Sequence, residues 1–296
     1  MSADRDLFKY NFVDEISAAE GLARQSAPRP LNDLHSVFKD IDDGLFAFLV
    51  NRSFEGFDDV KTLLPGWASD EIRQDSTGSF TFHEHVLDAS WFWRTVRQHF
   101  EDITGKSIRL ATVADYGAGW GRISRFANKD VPAEQFYALE PNPVFQEIYG
   151  DCRLPGRLVP TDWLSAEPTA VKNVDLIFSY SILTHSSERL TKNIVDRWTE
   201  MTKPGSVVAF TVRPGFYLGE SDGDMGVFTP VEHAQLPERY ARGELIYKSY
   251  EGQEDWGVTV IPLSYLEKLM AGRFKLVKTA FQPQTANQII VFAQRI

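Results

Sequence analysis

Val113-Ala114-Asp115-Tyr116-Gly117-Ala118-Gly119-Trp120-Gly121-Arg122 decides how the rest of this chain is read. A short apolar run ends in an acid, three glycines alternate, and a helix-like stretch begins at Ile123. Glycines at such a turn let the backbone bend sharply and approach a ligand with no Cβ in the way. The helix that follows offers free N–H groups and the positive end of its dipole to an anionic group. A dinucleotide fingerprint needs glycine at the sixth position counted from Gly117, where this chain has Arg122, so nicotinamide and flavin cofactors are disfavoured. No Gly-Lys-Ser/Thr follows, so the P-loop pattern fails as well.

Outward from the loop, strands and helices alternate. Ile108–Asp115 leads into the glycines, Phe136–Glu140 reads as the second strand, Pro143–Gly150 as a helix and Arg157–Pro160 as a weak strand. Val174–Tyr180 is a buried strand, Ser187–Thr202 a helix and Ser206–Val212 a further strand. A helix over Pro262–Met270 precedes strands near Phe274–Phe281 and Gln288–Arg295, which read as an antiparallel pair closing the sheet. Apolar strands separated by helices imply parallel βαβ units covered on both faces. The expected fold is α/β, a doubly wound, mostly parallel seven-stranded sheet with an antiparallel edge pair.

The first hundred residues have a different texture. Leu34, Val37, Phe38, Ile41, Leu45, Phe46 and Leu49 follow helical spacing, and Pro28, Pro30, Pro65-Gly66 and Ser76-Thr77-Gly78-Ser79 punctuate it. A helix from about Glu84 to Asp102 places Val86, Leu87, Trp91, Phe92, Val96 and Phe100 inward. These patterns predict an N-terminal helical cap over 1–104 and a Rossmann-like domain over 105–296, with a polar substrate loop at about 213–256.

Composition narrows the classes of function. The 296 residues include seven Trp and 21 Phe with 24% charged residues, which excludes a disordered chain. The net charge is 31 − 41 = −10, and no Lys/Arg cluster forms the basic stripe of a nucleic-acid binder or attracts an anionic membrane. One cysteine, Cys152, excludes an internal disulfide and a thiolate zinc site. The longest apolar run, Leu45–Val50, is too short to span a bilayer, and Met1–Asp6 is charged with no apolar stretch after it. The expectation is a cytoplasmic protein with no nucleic-acid partner and no membrane insertion.

Glu140, nineteen residues after Gly121, closes the second strand, and its two oxygens can accept from both hydroxyls of a ribose. With Glu140 in place, the sequence resembles the class I S-adenosylmethionine-dependent methyltransferases. Asp115-Tyr116-Gly117-Ala118-Gly119-Trp120-Gly121 is similar to their D-x-G-x-G-x-G motif, and Glu140 to their ribose acid. Thr161-Asp162-Trp163 resembles the turn that borders adenine, Val174–Tyr180 the fourth-strand motif, and Lys203-Pro204-Gly205-Ser206 the K-P-G-G turn. Ser206 replaces the second glycine of that turn, harmless if its φ is negative. Gly119-Trp120-Gly121-Arg122, Cys152-Arg153 and Ser181–His185 are similar to a bacterial subgroup often placed beside sugar- or polysaccharide-modifying genes. The resemblance implies S-adenosyl-L-methionine as cofactor, bound by Asp115, Gly117, Ala118, Gly119, Gly121, Glu140, Asp162, Trp163, Ser179 and Tyr180. It implies O-methylation of a sugar, glycan or other small-molecule hydroxyl. N- or C-methylation and a non-catalytic cofactor-binding partner subunit stand as alternatives. Asp162 equally suits an ordinary turn, and Asp175, at a strand entrance, reads as structural.

His185 is the candidate catalytic residue. It follows the fourth strand, so it lies along the edge where open α/β sheets bind ligands. A neutral imidazole can take the proton of an attacking hydroxyl; the alternative is a histidine that completes a helix start. Arg213, Tyr217, Asp222 and Tyr250 fall where this architecture places acceptor contacts. Asp222-Gly223-Asp224 reads as a solvated acidic turn, and Phe82-His83-Glu84-His85 lacks zinc-helix spacing, so no metal is expected. Trp91-Phe92-Trp93 reads as packing.

Overall fold

The structure, a computed structural model, describes residues 34–54, 64–77, 82–165, 169–219, 223–281 and 288–296. In chain order the helices are α1 (Leu34–Phe38), α2 (Asp43–Phe54), α3 (Asp70–Thr77), α4 (Phe82–Thr104), α5 (Ser124–Asp130), α6 (Pro143–Asp151), α7 (Glu188–Met201), α8 (Pro230–Ala241) and α9 (Leu263–Met270). The strands are β1 (Val113–Tyr116), β2 (Phe136–Glu140), β3 (Arg157–Pro160), β4 (Val174–Ser179), β5 (Thr202–Val212), β6 (Ile246–Ser249), β7 (Gly257–Val260), β8 (Phe274–Phe281) and β9 (Ile289–Arg295). Seven strands form one sheet in the order β3-β2-β1-β4-β5-β9-β8, and β6 and β7 form a separate hairpin. β1, β4 and β5 are mutually parallel, as are β2 and β3, whereas β9 runs antiparallel to both β5 and β8. The expected sheet, with its antiparallel closure, is the observed one.

Two compact units divide the chain. One holds residues through Arg97, Ser107–Leu110 and Ala118–Pro160; the other holds Gln98–Lys106, Ala111–Gly117 and Thr161–Ile296.

In the first unit, Phe38, Phe46 and Phe126 pack with ring centroids 5.4 and 5.9 Å apart. A partly buried ionic cluster lies beside them: Arg97 and Lys129 each pair with both Asp43 and Asp130, and the Trp93 indole N–H donates to Asp130 at 2.8 Å. Trp93 and Phe92 are therefore core residues, as their pattern predicts. Leu87 is not: it is 43% exposed, one residue off the buried stripe of Val86, Ala89, Trp93, Val96 and Phe100. Asn142 caps α6 by accepting from the Val144 N–H, with Pro143 in the first turn.

In the second unit, β4 is buried along its whole length, the condition for a continuous apolar run in a parallel sheet. Ser187 caps α7, accepting from the Leu190 N–H at 3.1 Å. Gly205 takes φ +89°, while Ser206 is not among the residues of positive φ, so the serine fits its turn. Its hydroxyl instead bonds the Val174 carbonyl at 2.7 Å.

Two expectations are corrected. The first strand begins only at Val113, because Ile108–Leu110 forms a 3₁₀ turn and the Thr112 N–H is drawn to Asp175. Residues 213–256, read as a polar loop, carry α8 and β6, which pack with β7 around a small core of Tyr217, Leu218, Met225, Phe228, Leu236, Ile246, Val258 and Val260. Thr229 and Glu232 form a reciprocal capping box with Pro230 in the first turn, the signature that Thr229-Pro230-Val231-Glu232 carries in the sequence.

Asp175 is structural, as its position predicts. Its carboxylate accepts from Lys106 Nζ at 2.7 Å and the Thr112 N–H at 2.8 Å, and lies 3.0 Å from Lys203 Nζ. Burial pushes its pKa up, but these donors more than reverse the effect and leave it lowered. A carboxyl whose folded pKa is depressed contributes stability above its unfolded pKa and loses it as pH falls through the folded value. Asp175→Asn should therefore lower the melting midpoint at pH 7, and the gap to wild type should close below the carboxylate range. Thermal scans between pH 7 and pH 3 check this; a gap independent of pH would remove the ion pairs from the account.

Candidate functional site

The order of the sheet reverses between β1 and β4, and open α/β sheets bind ligands outside the carboxyl ends of the strands at such a point.

In the first unit, the glycine loop and the end of β2 are joined directly. The Gly119 N–H donates to Glu140 Oε2 at 2.7 Å, the Asn142 N–H donates to Oε1 at 2.9 Å, and the Ala118 N–H donates to the Leu139 carbonyl at 3.1 Å. Glu140 is 4% exposed, and burial raises its pKa against the two backbone donors, which lower it. Each oxygen keeps a second lone pair for a ligand hydroxyl. Gly119 has φ +55°, and nothing lies within 4 Å of where its Cβ would stand. Gly121, at φ +83°, is different: a Cβ there would strike Leu154 and Tyr149. One glycine leaves room for a ligand, and the other lets the protein pack against itself.

Behind the loop, Trp120 is buried with its indole N–H on Ser76 Oγ at 3.1 Å, and Arg122 pairs with buried Asp88 at 2.6 Å. Arg125 lies over the Trp67 ring at 3.7 Å and donates to the Gly121 and Gly66 carbonyls. His85, 6.4 Å from the Trp120 ring, has its pKa lowered to about 4 by burial and then by Arg122 and Arg73. These contacts pack Trp120, Arg122 and Arg125 against Ser76, Asp88 and Trp67.

In the second unit, Asp115 is buried in β1 opposite Phe178 of β4. Gly117, at φ +87°, would carry a Cβ into Ile182 and up against Trp163 at 3.4 Å. Ser179 Oγ donates to the Tyr116 carbonyl at 2.8 Å, tying the ends of β1 and β4 together, and Tyr180 is half-buried beside it. Asp162 is exposed and accepts from the Leu164 N–H at 2.8 Å, a local turn contact. Trp163 is buried, with its ring nearly parallel to Tyr116 (centroids 5.8 Å, 16°) and to Trp256 (6.2 Å, 29°).

After β4 the chain enters a strained hydroxyl-rich turn. Ser181 has φ +61°; its N–H donates to Thr211 Oγ1 at 2.7 Å, and its Oγ lies 3.2 Å from Thr184 Oγ1. Gln288 Nε2 donates to Ser181 Oγ at 2.8 Å, while its Oε1 is buried without a hydrogen-bond partner among the described residues. His185 follows, half-buried, with Nδ1 2.8 Å from the Gly257 carbonyl and Nε2 3.4 Å from Arg213 Nη2. Arg213 also donates to the Thr184 carbonyl, and its guanidinium lies 5.1 Å from the Tyr217 ring centroid. Tyr250 Oη is 3.4 Å from His185 Nδ1. The structure thus brings His185, Arg213, Tyr217 and Tyr250 together, and Asp222 lies outside the described residues.

Sequence reasoning missed Trp256, Gly257 and Gln288. Trp256 stacks on His185 at 5.2 Å, yet nothing in Gln253-Glu254-Asp255-Trp256 signals that contact. Among the described residues, no group of three His, Cys, Asp or Glu side chains could hold a metal ion, and no helix is long and apolar enough to cross a membrane.

No protein-family model matches the chain, and no curated protein matches it. Solved structures similar to it include magnesium protoporphyrin IX methyltransferase from Synechocystis PCC 6803 with bound S-adenosylhomocysteine, at 11% identity and TM-score 0.49, covering 86% of this chain and 100% of that one. Another is 1,6-didemethyltoxoflavin-N1-methyltransferase from Burkholderia thailandensis with bound S-adenosylhomocysteine, at 15% identity and TM-score 0.48, covering 86% and 90%. A third is an S-adenosylmethionine-dependent methyltransferase from Clostridium acetobutylicum, at 12% identity and TM-score 0.48, covering 76% and 96%. The fold rests on the strand order and register of the sheet.

Proposed function

We propose that this chain is an S-adenosyl-L-methionine-dependent methyltransferase whose acceptor is a hydroxyl of a sugar, glycan or other small molecule. The observation that carries the reading is the Gly119–Glu140 hydrogen bond beside the open space at Gly119. A glycine loop joined to an acid at the end of the second strand, with nothing filling the glycine's side-chain position, fits an adenosine ligand without a pyrophosphate. Bound there, the cofactor supplies a methyl group on a sulfonium. Glu140 holds the ribose hydroxyls, and the glycine loop admits the amino-acid part against its backbone. Asp115, Gly117, Ala118, Ser179 and Tyr180 complete the binding edge, with Asp162 and Trp163 bordering the base. His185 takes the proton of the acceptor hydroxyl, while Arg213, Tyr217, Tyr250 and Asp222 contact the acceptor. Holding the reactants in line supplies several kcal/mol by itself, so few catalytic groups are needed.

Glu140→Ala tests the cofactor half. The loss of charge-assisted bonds should weaken binding by roughly 1.5–3 kcal/mol for each bond lost, and the Gly119 N–H loses its acceptor as well. Calorimetry with S-adenosylhomocysteine reads this directly; unchanged affinity would take Glu140 out of the site. A partner subunit without catalysis would bind the cofactor equally well yet turn over no acceptor in a screen of hydroxyl-, amine- and carbon-nucleophile substrates. Turnover, where found, should survive EDTA; activity lost to chelation and restored by magnesium would bring Asp222 and Asp224 forward as ligands.

A further inference from the structure

We propose that the β6–β7 hairpin positions His185: Gly257 and Trp256 hold its imidazole as the Nδ1–H tautomer, and Asp255 clamps the strand that carries them. That tautomer puts the ring's one lone pair on Nε2, toward Arg213; a base role for that nitrogen needs the Arg213 contact to give way and rests on the methyltransferase reading, whereas the tautomer itself does not.

The backbone shows how the hairpin reaches the residue. The Gly257 N–H donates to the His185 carbonyl at 2.8 Å, and the Thr259 N–H to the Thr184 carbonyl at 2.9 Å. Thr259 Oγ1 donates to the Ser186 carbonyl at 2.8 Å, and the Ser187 N–H to the Asp255 carbonyl at 3.0 Å. Residues 184–187 are thereby laced to 255–259, so the hairpin sets where the His185 Cα stands.

The ring is then fixed from three sides. A carbonyl only accepts, so the 2.8 Å contact between Nδ1 and the Gly257 oxygen requires the proton on Nδ1. A guanidinium only donates, so Arg213 Nη2, at a longer 3.4 Å from Nε2, favours a lone pair there. Two separate partners select the same tautomer. Trp256 covers a face of the ring at 5.2 Å and 21°, with Trp163 stacked in turn on Trp256. Rotation of the imidazole would break both polar contacts and the stack. A second group that fixes which ring nitrogen carries the proton is what a histidine base requires.

The hairpin is itself held. Asp255 Oδ1 accepts from Ser187 Oγ at 2.5 Å and from Arg189 Nε at 3.2 Å, and its second oxygen accepts from Arg189 Nη2. Gly257 is required on the strand: a Cβ there would stand 2.7 Å from Ser249 Cα and nearer still to the Lys248 carbonyl oxygen. Close backbone approach of the two strands therefore places the accepting carbonyl where Nδ1 meets it. Asp255 touches no reacting group in this account and is a positioning residue.

The test is a long-range ¹H–¹⁵N correlation of the imidazole signals in the full, uniformly labelled chain, with His185 assigned by its loss in His185→Gln. Above its titration, wild-type His185 should show a single tautomer protonated at Nδ1. In Asp255→Ala the His185 signals should move toward a tautomer average, with S-adenosylhomocysteine affinity within about twofold of wild type. Arg189→Ala, at an exposed side chain, should cause a smaller shift in the same direction and covers the case in which Asp255→Ala fails to fold. Protonation at Nε2 in the wild type would overturn the tautomer. Wild-type signals in both variants would overturn the clamp. Failure of the wild type to bind S-adenosylhomocysteine would instead overturn the methyltransferase reading and leave the tautomer result standing.

Discussion

Gly119→Val is expected to abolish measurable binding of S-adenosylhomocysteine while leaving the chain folded, a loss of roughly 100-fold or more, about 2.8 kcal/mol. The Cβ position of Gly119 meets no protein atom within 4 Å, so the branched side chain would occupy space that a ligand needs. The substitution also strains the backbone, because φ is +55° there and a residue other than glycine in that region costs about 1–3 kcal/mol. Gly105→Val separates the two effects. Gly105 has φ +66° with nothing within 4 Å of its Cβ position, and it lies outside the loop. It should pay similar strain and keep its ligand affinity. Calorimetry on both variants, with circular dichroism to confirm folding, decides the matter. Wild-type affinity in folded Gly119→Val would sink the loop assignment.

His185→Ala is the second large effect. Transfer of a methyl group to oxygen needs the hydroxyl proton gone as the C–O bond forms, and a positioned base typically contributes about 10²–10⁴-fold. On an acceptor that is turned over, kcat should fall by that order while cofactor affinity stays within about twofold. The acidic limb of the pH–rate profile should disappear with the imidazole, since protonation of the base is what produces that limb. Tyr250→Phe removes the hydroxyl 3.4 Å from Nδ1 but leaves the Gly257 carbonyl contact in place, so it should cost much less. A His185→Ala enzyme that keeps most of its turnover and its acidic limb would reduce His185 to a residue before a helix, with Tyr217 and Asp222 next as candidate bases.

Much of this protein follows from the sequence by itself. The strands at Phe136–Glu140, Arg157–Pro160 and Phe274–Phe281 have the extents their apolar pattern predicts. Gly117, Gly119 and Gly121 make the sharp bend expected of them, each at positive φ. These features are local: a buried strand must be apolar over four to eight residues, and a left-handed backbone angle favours glycine whatever surrounds it. The capping box at Thr229–Glu232 is a local signal of the same kind, set among polar flanks that break the apolar period of its helix.

Only the tertiary structure decided what surrounds His185. The carbonyl that selects its tautomer is 72 residues away, Gln288 reaches Ser181 across 107 residues, and Asp255 reaches Ser187 across 68. Contacts of that separation leave no period in the chain, because each is made by folding distant segments together and not by the repeat of a helix or strand. Gly257 shows the difference most plainly. In the sequence it is one glycine among 20. In the fold a Cβ there would collide with the facing strand, and the steric demand exists only once that strand is in place.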